Sequence, residues 1–180
     1  MKPEESRASL VELIAQADET GLAASGLACL DRCVPLFGDG VDEQALRPLW
    51  ANLADGTAWD GALAGVRRSL GPGDAGDTAD PAAALARRML AAVPAERTAG
   101  ALRTWADGCS AAALQIHRLL DATDEGVAPL VAAELRRQIR VLELLAGGAP
   151  GGGLRQVLDV STEGRRVLRA VVSRRARSAP

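Results

Sequence analysis

The sequence of 180 residues predicts an all-α fold: an antiparallel helical bundle or short stack of helical hairpins, with about seven helices. Apolar residues recur at helical spacing along almost the whole chain, and alternating stretches rich in β-branched residues are nearly absent. Hydrophobic residues make up 48%, yet there are three Trp, one Phe and no Tyr. The core must therefore be built from Leu, Val and above all Ala, whose small side chains favour closely packed helices. Apolar content this high with a net charge of only -2 excludes an intrinsically disordered chain.

Ser6 is the expected N-cap of a first helix over 6–17, with Leu10, Leu13, Ile14 and Ala17 on one face. A second helix is expected over 20–37, carrying Leu22, Leu27, Leu30, Val34, Cys29 and Cys33, and stopping at Gly38-Asp39-Gly40. Residues 42–70 read as a hairpin of two helices broken at Asp55-Gly56. Residues 71–79, with three Gly and a Pro, read as a linker after an N-terminal unit of residues 1–70. Asp80-Pro81 opens the next helix in the favoured order, a capping carboxylate followed by proline at the first helical position. Central helices follow over 98–122 and 127–146, and a second Gly-rich linker spans 147–153. In the C-terminal unit, 154–180, Ser161-Thr162-Glu163-Gly164 is the expected start of a final helix with Val167, Leu168, Val171 and Val172 as its apolar stripe. One compact domain accommodates all of these units.

Residues 46–72 resemble a tetratricopeptide unit. Leu49-Trp50-Ala51-Asn52-Leu53-Ala54-Asp55-Gly56 stands where the family's first helix closes near a Gly. Trp59-Asp60-Gly61-Ala62-Leu63 stands where an aromatic and Asp open the second helix, and Leu70-Gly71-Pro72 closes the unit. Pro48 inside the first helix and one extra residue after Gly56 depart from the pattern, and Leu102-Arg103-Thr104-Trp105-Ala106-Asp107-Gly108 echoes the first phrase. The resemblance implies stacked hairpins touching at small residues; an ordinary antiparallel bundle follows the same packing rules.

Catalytic signatures are lacking. Cys29 and Cys33 sit four apart and would share a helix face, but a metal site would need Cys109 and His117 to complete it from a distant segment. Apolar neighbours Leu30 and Val34 favour buried thiols, so no metal is expected. His117 is the single histidine; Leu114 excludes the Glu-x-x-His motif of di-iron bundles, and Leu120-Asp121 departs from a histidine phosphotransfer sequence. Asp121, Asp124 and Glu125 suit helix ends better than a magnesium-diphosphate site. The Gly-rich stretch lacks the Gly-Lys-Ser/Thr ending of a phosphate loop, so no cofactor is expected.

The opening residues show no apolar run behind a basic start, and the longest apolar stretches are far short of the ~18–20 residues that cross a bilayer. A cytoplasmic protein with three reduced cysteines is the expectation. Its charge is unevenly spread. Residues 161–180 carry six Arg and one Glu, +5, which leaves -7 on residues 1–160. Arg165, Arg166, Arg169, Arg174, Arg175 and Arg177 are thus the candidate interaction residues. The function expected is a non-enzymatic protein-interaction or regulatory module, with a groove near Trp50, Trp59 and Trp105 as a partner surface. The alternatives are a nucleic-acid-associated protein using the basic helix and a small helical enzyme whose site periodicity does not reveal.

Overall fold

The computed structural model describes residues 3–71, 79–121, 128–147 and 153–178. Eight α-helices occur among them and no strand: α1 (Pro3–Gln16), α2 (Glu19–Arg32), α3 (Arg47–Ala51), α4 (Trp59–Leu70), α5 (Pro81–Ala91), α6 (Ala99–Leu120), α7 (Pro129–Ala146) and α8 (Leu154–Ser178). The all-α bundle is as the periodicity predicts. None of these helices is long and apolar enough to cross a membrane.

Helix α2 is the axis of the bundle. From Gly21 to Arg32 every residue is buried, because Gly21-Leu22-Ala23-Ala24-Ser25-Gly26-Leu27-Ala28-Cys29-Leu30 offers no polar face to water. Helices α6, α8 and α7 pack around it, α5 lies on α6, and α1 lies on α7. Each fully buried Leu of α2 contributes roughly 1.5–3 kcal/mol. The small residues set the spacing: a Cβ at Gly26 would stand 2.7 Å from Cε3 of Trp105, so glycine there lets the α6 indole pack directly against α2.

Several boundaries differ from the periodicity. Helix α1 starts at Pro3, which puts Ser6 one turn inside it and buried, not at the cap. Helix α2 is capped by Asp18, whose carboxylate accepts from the Gly21 N–H at 2.7 Å, and it ends at Arg32. Pro35 has no N–H to continue the ladder, so Val34–Phe37 tightens into a 3₁₀ turn. Pro48 does not interrupt the next helix; it sits in the first turn of the five-residue α3. Asp80 and Thr98 cap α5 and α6 through the N–H groups of Ala82 and Ala101. Asp107-Gly108 lies within α6, so the second hairpin phrase is uninterrupted helix.

The C-terminal unit is one helix. Ser161-Thr162-Glu163-Gly164 does not start it but lies in its interior. A helical Gly costs ~1 kcal/mol relative to Ala. Gly164 is required by its neighbour: a Cβ there would run into Cδ of Arg32 and stand 3.2 Å from Cδ of Arg137. Asp124 and Glu125, most of both Gly-rich linkers and Pro180 fall outside the described residues.

Candidate functional site

The buried face of α8 comprises Val157, Ser161, Gly164, Arg165 and Leu168, at helical spacing. Arg165 is therefore carried inward. Its Nη1 donates to Oδ2 of Asp31 at 2.6 Å, and its side chain is 10% exposed. One turn on, Arg169 forms an ion pair with Glu43, in the connection between α2 and α3. Residues 173–178 are all exposed. Arg166, Arg174, Arg175 and Arg177 are solvent-facing, and none pairs with a carboxylate among the described residues. Arg175 reaches the Leu119 carbonyl at the end of α6, at 3.5 Å. The six arginines thus divide into two that the body neutralises and four that it leaves in water.

A second polar group lies deeper. Arg32 donates from Nε and Nη2 to the two oxygens of Glu134 on α7, at 2.9 and 2.6 Å, and both side chains are essentially inaccessible. Gln138 donates to the same carboxylate at 2.9 Å and accepts from the Ser110 hydroxyl at 2.7 Å. His117 completes the shell: Nδ1 donates to the Ala113 carbonyl at 2.7 Å, since a carbonyl only accepts, and Nε2 stands 3.7 Å from Glu134. Burial pushes the Glu134 carboxyl up, and the Arg32 guanidinium, His117 and Gln138 together hold it below its ordinary value. His117 is a buried member of this network, so it does not present the exposed face that phosphotransfer needs.

The cysteines lie beside this network and are free thiols. Burial pushes Cys29 up to about 12, with Arg32 opposing, and raises Cys33 and Cys109 well above the ordinary thiol value. Such thiols are small hydrophobes with little nucleophilicity. Among the described residues no group of three or more His, Cys, Asp or Glu side chains is placed to hold a metal ion. Asp121 serves two helices: it follows the last turn of α6, and its carboxylate accepts from the Leu130 N–H at the start of α7, at 2.9 Å.

All three tryptophans are core residues, between 1% and 7% exposed. The Trp59 indole donates to the Pro94 carbonyl at 2.8 Å, and Arg97 stacks on its ring while donating to the carbonyls of Asn52 and Leu53. Those contacts fasten the α3–α4 hairpin to the segment before α6. Trp105 donates to the Met89 carbonyl at 3.0 Å and lines an apolar groove of about 570 Å³ between α5 and α6. Trp50 instead borders a smaller cleft of about 260 Å³, together with Asp31, Glu43, Arg47 and Arg165.

The residues missing from the sequence reading are Asp31, Arg32, Glu43, Glu134 and Gln138. One signal was present: a helix apolar on every side ends in Asp31-Arg32, and charges on such a helix require partners inside the protein. Which partners answer them, 102 and 134 residues away, is invisible to periodicity. Comparison with family models, with curated proteins and with solved structures finds no match.

Proposed function

We propose that this chain is a non-enzymatic protein-interaction module, docking through the exposed end of α8 onto an acidic protein surface. The observation that carries it is the division of the α8 arginines. Arg165 and Arg169 already clasp carboxylates of the body, while Arg174 and Arg177 on the last two turns have none among the described residues. Two solvated turns gain little from intrinsic propensity alone, and a partner surface would complete their surroundings.

A mixed surface favours protein over nucleic acid. Leu119, 39% exposed, lies beside Arg175, so an apolar side chain flanks the guanidinium, which suits a protein surface better than a phosphate backbone. Three or four arginines neutralise few phosphates, and the -7 carried by residues 1–160 opposes a long polyanion.

Fluorescence anisotropy of the full chain, with a Leu-containing glutamate-rich peptide and with duplex DNA as probes at low and moderate salt, tests this. Peptide binding that is lost in an Arg174→Gln, Arg175→Gln, Arg177→Gln variant and weakened in Leu119→Ala is expected. Duplex binding that survives moderate salt would replace this reading with the nucleic-acid one. Failure to bind either probe at low salt would overturn both.

A further inference from the structure

We propose that two copies of this chain associate through the groove between α5 and α6, each seating its α6 helix in the groove of the other. This surface is separate from the α8 terminus. The groove, about 570 Å³, has one charged residue on its walls, Arg88; the remaining lining residues are apolar or small. Arg88 is exposed and has no carboxylate partner among the described residues. Along the α6 wall, Gly100, Thr104, Gly108 and Ala112 follow one another at intervals of four, a line on which a second helix can pack closely. The Thr104 hydroxyl donates to the Gly100 carbonyl of its own helix at 3.1 Å and asks nothing of the groove. Gly26 and Gly164 are each explained by a side chain that a Cβ would strike, whereas a Cβ at Gly108 would meet nothing within 4 Å. Glycine is a poor helix former, and nothing inside the chain requires it at this position; the close approach it permits is open to a helix from outside.

The occupant must present small side chains together with a carboxylate for Arg88. Helix α6 presents both. Between Gly100 and Ala111 its exposed residues are Gly100, Thr104, Asp107, Gly108 and Ala111, so Asp107 stands in the middle of a slim ridge. Asp107 has no cationic partner among the described residues, and Arg103, one turn before it, is already spent on the carbonyls of Ile14 and Ala15. The Trp105 indole donates to the Met89 carbonyl, which sets Arg88 on the α5 wall and Asp107 on α6 at about the same height along the groove. A two-fold axis through that height exchanges the two walls, bringing Arg88 of each copy to Asp107 of the other. One surface thereby supplies two reciprocal ion pairs and covers the apolar groove twice. Charge selects this occupant over others: a purely acidic partner would be repelled by Asp107 and a purely basic one by Arg88.

The test is sedimentation velocity of the full chain across a concentration series at low salt, with far-UV circular dichroism to confirm that each variant is folded. A reversible equilibrium between one and two chain masses is expected. Arg88→Asp and Asp107→Arg alter exposed side chains, and each should weaken the dimer at least roughly tenfold by setting like charges opposite one another. Combining them reverses both signs and should restore the dimer. Gly108→Leu should abolish it while the monomer melts no earlier than the wild type, since the Cβ position is open and leucine is the better helix former. A wild-type chain that stays monomeric throughout the series overturns the proposal. So does a dimer that survives Gly108→Leu, or one weakened by either charge reversal and not recovered by the pair. Loss of the dimer in the Arg174→Gln, Arg175→Gln, Arg177→Gln variant would move self-association to α8 and overturn it equally.

Discussion

Asp31 and Arg32 are consecutive residues on the last turn of α2, both buried, yet their ion pairs are built differently. Arg32 meets Glu134 through two parallel hydrogen bonds, and Gln138 adds a third to the same carboxylate. Asp31 receives one, from Arg165 at the rim of the bundle. The consequence is opposite charge behaviour. Several donors overcome desolvation and hold Glu134 low, whereas burial outweighs Arg165, Arg32 and Trp50 at Asp31 and raises it from 3.8 to about 6. At Glu134 the Arg32 charge and the hydrogen bonds of Arg32 and Gln138 together outweigh desolvation; at Asp31 desolvation, with Glu43 nearby, outweighs Arg165 and Arg32.

The sharpest way to break this contrast is Glu134→Ala, which leaves the Arg32 guanidinium buried and uncompensated. A loss of roughly 3–5 kcal/mol is expected in urea denaturation, and replacing both partners together, Arg32→Met with Glu134→Leu, should recover most of it. Gly164→Ala attacks the same pair sterically. Propensity alone would favour Ala by ~1 kcal/mol, but the Cβ would meet the Arg32 side chain, so a net loss of ~1–3 kcal/mol is expected. In an Arg32→Ala background that loss should largely vanish, as a double-mutant cycle would show.

The rim pair is distinguished by pH. The Asp31 carboxyl holds its proton more tightly in the folded state, about 6 against 3.8, so its contribution to stability grows as pH falls through that window and is flat above it. Glu134 has the opposite sign: its contribution is present above its unfolded value of 4.5 and is lost as pH falls below it. Denaturation midpoints between pH 7 and pH 4 should show a gain on the order of 2 kcal/mol for the wild type relative to Asp31→Asn. A difference that does not vary with pH would contradict this account of Asp31. The smallest effect is reserved for the solvated end of α8, where Arg174→Gln and Arg177→Gln should change stability by less than about 0.5 kcal/mol.

Much of the fold is legible in the sequence because the signals are local. Asp80-Pro81 marks a helix start through its own side chain, and the apolar residues of α2 place that helix in the core. Ser161-Thr162-Glu163-Gly164 misleads for an equally physical reason. Capping residues are also compatible with a helix interior when packing holds them there, and Gly164 answers to Arg32, not to a turn. The arginine cluster is legible as composition but not as a site, since the 3.6-residue period of α8 turns Arg165 to the core and leaves Arg166 in water.

What the sequence determines by itself is the helical class, most helix positions and the uneven charge, because propensity, capping and apolar period act within a few residues. What only the tertiary structure decides is which charges meet. Glu134 is one acidic residue of 23 until the packing of α7 on α2 brings it to Arg32, and Asp31 becomes a rim carboxylate only when α8 crosses it. Burial removes water from both, so their partners must come from elsewhere in the chain, and no local pattern records that choice.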